Sequence, residues 1–90
     1  MFKNILSEHE CFLLILHQNG GTMNLLPLAQ EMLSRNALGF GVETISVGFA
    51  LRWEGRVILK HSDESHCSGD PDIVVITESG IKLLKDLKLI

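Results

Sequence analysis

What the chain lacks narrows its function first. It has no long apolar run: the longest, Cys11 to Leu16, falls far short of the ~18 residues that suggest a membrane span. No membrane contact is therefore expected. A cysteine framework is missing too. The two cysteines, Cys11 in an apolar setting and Cys67 in a polar one, do not resemble the dense pairing of small secreted domains and are expected as reduced thiols. The opening MFKNILSEHE has neither the apolar core nor the small-residue cleavage site of an export signal, so a cytoplasmic setting is expected. Nor is there a basic excess: eight Lys and Arg stand against eleven Asp and Glu, for a net charge of −3. That balance weighs against an electrostatic grip on nucleic acid. Internal repeats and low-complexity tracts are absent as well.

What is present fits one domain. Ninety residues leave no room for two cores, so 1–90 is expected to fold as a unit. The SEHE stretch announces the first element, with Ser7 placed to cap a helix and Glu10, three residues on, placed to reach back and complete a capping box. The spacing predicts a helix from about Glu8 to Gln18, stopped by NGG at 19–21. A short extended stretch follows at Thr22 and Met23. NLLPLAQEMLSRN then predicts a second helix, with Pro27 in its first turn and Leu28, Met32 and Leu33 facing inward. VETISVGFALRWEG mixes signals. Its β-branched residues favour strand, whereas Ile45, Phe49 and Trp53 recur at helical spacing and predict a third helix beginning near Val42. RVILK and DIVVIT predict two strands of a hairpin, and Thr77 is placed to cap a last helix whose apolar stripe is Ile81, Leu84 and Leu87.

This element order, with ALRWEGRVIL running into a hairpin and VITESGIKLLKDL closing it, resembles the winged helix-turn-helix domains of small prokaryotic transcription regulators. Leu51, Glu54 and Gly55 match that pattern where the third helix meets the first wing strand. Thr77, Glu78 and Gly80 match it where the last helix opens. The resemblance implies an α+β winged-helix fold: a three-helix core, a two-stranded wing hairpin and a C-terminal helix. It also implies a homodimer that puts its third helix into the major groove of duplex DNA and its wing against the neighbouring backbone. On that comparison the protein is a regulator of transcription rather than an enzyme and needs no cofactor. Its expected DNA contacts are Ser46, Arg52, Arg56 and Lys60.

The residues of the third helix add a second reading. At about 100° per residue, Val42, Ile45, Phe49 and Trp53 fall in one sector, and Val47 and Leu51 fall roughly opposite Phe49. One apolar stripe can face the core, which leaves the other for a subunit or a close helical neighbour. Val47 and Leu51, with Leu84 and Leu87 on the last helix, are the candidate surface for a second copy or a partner protein. The polar gap between the stripes carries Glu43, Ser46, Ala50 and Glu54. Its glutamates would be repelled by phosphates unless Arg52, Arg56, Arg35 or Asn36 offset them. The alternative function is therefore a winged-helix protein-interaction module with little or no DNA binding. The connection between the second and third helices is also longer than the tight turn of a DNA-binding helix-turn-helix.

The polar stretch HSDESHCSGDPD at 61–72 points the same way. Residues 61–80 contain five acids and no lysine or arginine, the wrong sign for a wing in a minor groove. His61, His66, Cys67, Asp70 and Asp72 offer ligand atoms without the paired-cysteine spacing of a zinc site, so no metal is expected. His66 and Cys67 are neighbours whose side chains point apart in an extended segment, and no third group is marked to orient the histidine. Catalysis is not expected. The stretch reads as a hydrated turn shaped by Gly69 and Pro71.

Overall fold

A computed structural model describes residues 7–35, 43–61 and 72–90. The first element is α1 (Glu8–Gln18), and its start is the capping box the sequence predicts: Ser7 Oγ accepts from the Glu10 amide at 3.2 Å, and the Ser7 amide donates to Glu10 Oε1 at 2.9 Å. Such reciprocal bonds satisfy two of the amides that a helix start leaves open. The helix ends where Asn19 bonds back to the Ile15 carbonyl and the chain turns through Gly20 and Gly21, at φ of +90° and +93°. Only glycine adopts that backbone cheaply. Cys11, Phe12, Leu13, Ile15 and Leu16 of α1 are all buried, because every other helix and two of the strands pack against it.

Strand β1 (Thr22–Asn24) leads directly into α2 (Leu25–Ser34), whose Leu28 and Met32 reach the core one turn apart. Leu33 does not follow them. It stands about 100° round from Met32 and is 66% exposed, which corrects the expectation that it faces inward.

Helix α3 (Thr44–Trp53) begins at Thr44, with Glu43 at its N-cap. Residues 36–42, including Asn36, Val42 and the rest of the connection between α2 and α3, lie outside the described residues. The β-branched run does not prevent the helix, since packing of a buried face overrides weak propensity. That face carries Val47 and Leu51, 3% and 0% exposed, beside Thr44 and Gly48. The two stripes are thus assigned the other way round from a reading that leaves Val47 and Leu51 for a partner. They are core, and Phe49 and Trp53 are outside. Gly48, between Val47 and Leu51 in sequence, brings this face of α3 close to the Phe12 ring of α1 and to Leu59.

Strands β2 (Val57–Lys60) and β3 (Ile73–Ile76) pair antiparallel, in register Val57 with Ile76 and Lys60 with Ile73. The expected hairpin is therefore present, but β1 also joins β3, pairing Thr22 with Val75. The sheet has three strands in the order β1-β3-β2. Period-two alternation sends Val57, Val74 and Ile76 into the core and leaves Ile58 exposed. The last helix, α4 (Glu78–Asp86), buries Leu84 completely, so Leu84 too belongs to the core and not to a partner surface. Leu87, just past its end, is exposed.

Truncation of Leu51 tests this packing. Leu51→Ala is expected to lower the unfolding free energy by about 2–5 kcal/mol, the range for a fully buried leucine, as read from urea denaturation. A loss below about 0.5 kcal/mol, the scale of surface positions, would contradict the assignment of Leu51 to the core.

Candidate nucleic-acid interface

Two structural features define the candidate surface: the outward face of α3 and the joint that fixes its end to the hairpin. On α3 the core residues Val47 and Leu51 lie about 160° and 200° round from Phe49, so Phe49 stands on the outward side, 41% exposed. Trp53, one turn on, is 91% exposed. Ser46 and Arg52 are exposed on either side of this ridge, about 60° from Phe49 in opposite directions. Glu43 and Glu54 stand farther round on the Ser46 side, exposed to solvent. The surface therefore has an aromatic crest, one guanidinium, one hydroxyl and an acidic flank.

The joint is built from backbone. The Arg56 amide donates to the Leu51 carbonyl at 2.9 Å and closes the end of α3, while the Arg56 carbonyl accepts from the Thr77 amide at 3.0 Å. Thr77 Oγ1 accepts from the Gly80 amide at 3.2 Å, as an N-cap does, and donates to the Gly55 carbonyl at 2.7 Å. Gly80 is required for this closeness, because a Cβ there would sit 2.5 Å from the Arg56 carbonyl oxygen and 2.8 Å from Ile76 Cγ1. The turn between α3 and β2 is thereby pinned to the start of α4.

The expected DNA-contact residues do not converge on one spot. Ser46 and Arg52 share the α3 face. The Arg56 guanidinium is turned to the joint, where Nη1 donates to the Ser79 carbonyl at 3.1 Å and to Ser79 Oγ at 2.9 Å. Its Nε is buried without a hydrogen-bond partner among the described residues, 3.9 Å from Glu54 Oε1. That distance is too long for a hydrogen bond and leaves only a weak ion pair. Lys60 is exposed at the far end of β2, and its carbonyl accepts from the Asp72 amide. Arg35 cannot readily serve α3, since it pairs with Glu31 at 3.0 Å and donates to Gln18 at 3.2 Å. Sequence reasoning missed Phe49 and Trp53 as surface residues, because two apolar stripes on one helix carry no local signal that says which is covered.

The candidate metal residues His66, Cys67 and Asp70 lie outside the described residues, as do Gly69 and Pro71. Among the described residues no group of three His, Cys, Asp or Glu could hold a metal ion. Cys11 is buried, which pushes its thiol pKa up, with Arg35 partly opposing the shift. A thiol so placed is a poor nucleophile. No helix among the described residues is long and apolar enough to cross a membrane.

No family model and no curated protein matches the chain. Among solved structures it is similar to F93 from STIV, a winged-helix DNA-binding protein, with a TM-score of 0.68 and 20% sequence identity over 98% of this chain and 88% of that one. At that identity the likeness establishes the architecture: the chain has a winged-helix fold.

The joint yields a stability test. Thr77→Val removes both side-chain bonds and is expected to cost about 1–2 kcal/mol, as loss of an N-cap does. Gly80→Ala is expected to cost about 1–3 kcal/mol through overpacking. Thermal denaturation midpoints unchanged in both variants would show that the joint does not hold the hairpin.

Proposed function

We propose that the chain is a dimeric winged-helix regulator of transcription that binds duplex DNA through α3. One observation carries this reading: α3 has a free outward face carrying Ser46 and Arg52, in a fold shared with a protein described as DNA-binding. A helix of this kind fits the major groove, where Arg reads guanine and Ser accepts or donates to several base edges. Lys60 extends the contact along the hairpin to phosphate. Arg56 acts from behind by holding the hairpin to α4. Leu87 and Ile90, both exposed beyond the end of the last helix, supply apolar surface for the second copy. With a net charge of −3 and glutamates beside the ridge, affinity rests on few cations.

A second reading, a protein-interaction module on the same scaffold, is favoured by Leu26 and Leu33. They lie seven residues apart on α2 and are 69% and 66% exposed. That stripe is apolar surface a monomer seldom displays. It predicts a stable complex with another protein even where DNA binding is absent.

A salt titration of binding to a mixed-sequence duplex, with stoichiometry read by analytical sedimentation, separates the two. The regulator reading predicts two chains per duplex and binding at low salt that weakens with a log–log slope of about −2 to −3, as two or three phosphate contacts give. Arg52→Ala is expected to weaken binding by about tenfold, from the scale of one good base contact. Absence of binding at the lowest salt would reject it.

A further inference from the structure

We infer that Phe49 and Trp53 make α3 a reader of thymine, recognised through its 5-methyl group. The inference rests on the proposed DNA-binding function and deepens it by naming the sequence feature read.

The outward half of α3 contains few hydrogen-bonding side chains. Ser46 and Arg52 are its polar members, and it has no Asn, Gln or Lys anywhere between Thr44 and Trp53. Phe49, 41% exposed, stands on the side away from the core, and the most exposed large apolar side chain of the described residues is Trp53. A ligand lying against this face therefore meets a phenyl and an indole ring, with Arg52 and Ser46 beside them.

In the major groove each base pair presents donors and acceptors, and the thymine methyl is the one apolar group among them. A phenyl ring set against that methyl buries two apolar surfaces. The same ring set against a cytosine covers its N4 amino donor and gives it no acceptor, which is unfavourable for a polar group losing water. The crest should thus accept an A·T pair and reject a G·C pair at the position facing Phe49. Arg52 is three residues on, about 4.5 Å along the axis, and one base step is about 3.4 Å. A guanine read by Arg52 then falls about one step from the thymine read by Phe49. Trp53 lies about 6 Å from Phe49. It extends the apolar contact by a further step, with its indole N–H available to a phosphate. Glu43 and Glu54 flank one side only, so the crest itself carries no negative charge toward the bases.

The test enriches bound sequences from a random 20-bp duplex pool and then measures affinity at low salt by fluorescence anisotropy, for the enriched duplex and for the same duplex with deoxyuridine in place of thymine. The wild type is expected to enrich a thymine-containing motif with a nearby guanine and to bind the deoxyuridine duplex roughly fourfold more weakly per contacted methyl, the scale of one buried methyl group. Phe49→Ala, checked for native folding by circular dichroism, is expected to lose about one methyl's share of the discrimination, and Phe49→Ala combined with Trp53→Ala to bind both duplexes equally; a double variant that still discriminates would overturn the inference. Equal binding of the two duplexes by the wild type, or no enrichment despite salt-dependent binding, would overturn the inference and leave the DNA-binding function standing. Failure to bind any duplex would remove both. A Phe49→Ala protein with unchanged DNA discrimination but an altered sedimentation mass would assign the ridge to a protein contact and also overturn the inference.

Discussion

The rotation of α3 about its own axis is the constraint on which the surface chemistry depends. Val47 and Leu51 set it by packing into a core in which Phe12 of α1 is completely buried, with Gly48 lying close to the Phe12 ring and Leu59. Interiors packed to crystal-like density tolerate little slippage, so anchoring these positions fixes where every other α3 side chain points. The aromatic ridge is exposed as a consequence of that packing. Its polar neighbours Ser46 and Arg52 are then displayed beside it, and the glutamates are held to one flank.

A second constraint sets where α3 stops and the hairpin begins. Leu51 contributes its side chain to the core and its carbonyl to the Arg56 amide, and Arg56 bonds onward to Thr77 and Ser79. One short stretch therefore couples the end of α3, the first strand of the hairpin and the start of α4. The Gly80 contact makes the coupling close, because no side chain fits between that turn and the Arg56 carbonyl. Arg56 is better understood as the peg of this joint than as a free cation.

Much of the fold was legible from local signals. The capping box at Ser7 and Glu10, the glycine stop after α1, the Thr77 cap and the β-branched strands each specify an element through short-range chemistry. The rotation of α3 was not legible, because Ile45, Phe49 and Trp53 and the pair Val47 and Leu51 are both apolar stripes. Hydrophobic periodicity finds stripes without saying which one the rest of the molecule covers. The packing of α3 against elements distant in sequence decides it, with Gly48 close to Phe12 of α1 and Leu59 of β2. Leu33 shows the same limit: hydrophobicity suggests burial, but the inward face of α2 is made by Leu28 and Met32, with Leu25 partly buried beside them. The extended stretch at Thr22 and Met23 was legible and forms β1, but its pairing with β3 was not, because three residues, Thr22–Asn24, carry too short a pattern to specify a partner. Its partner is the edge of β3 that β2 leaves open. For the candidate surface, residue type located Ser46 and Arg52, whereas the role of Arg56 depends on Ser79, which is 23 residues away in sequence.

Trp53 is the only tryptophan of the chain, so its fluorescence reports directly on the face α3 turns to solvent. The predicted result is a red, water-exposed emission maximum, quenched by acrylamide nearly as readily as free tryptophan and shifted when duplex DNA is added. A blue emission shielded from acrylamide in the isolated protein would contradict the outward placement of the ridge, and with it the interface built on that placement.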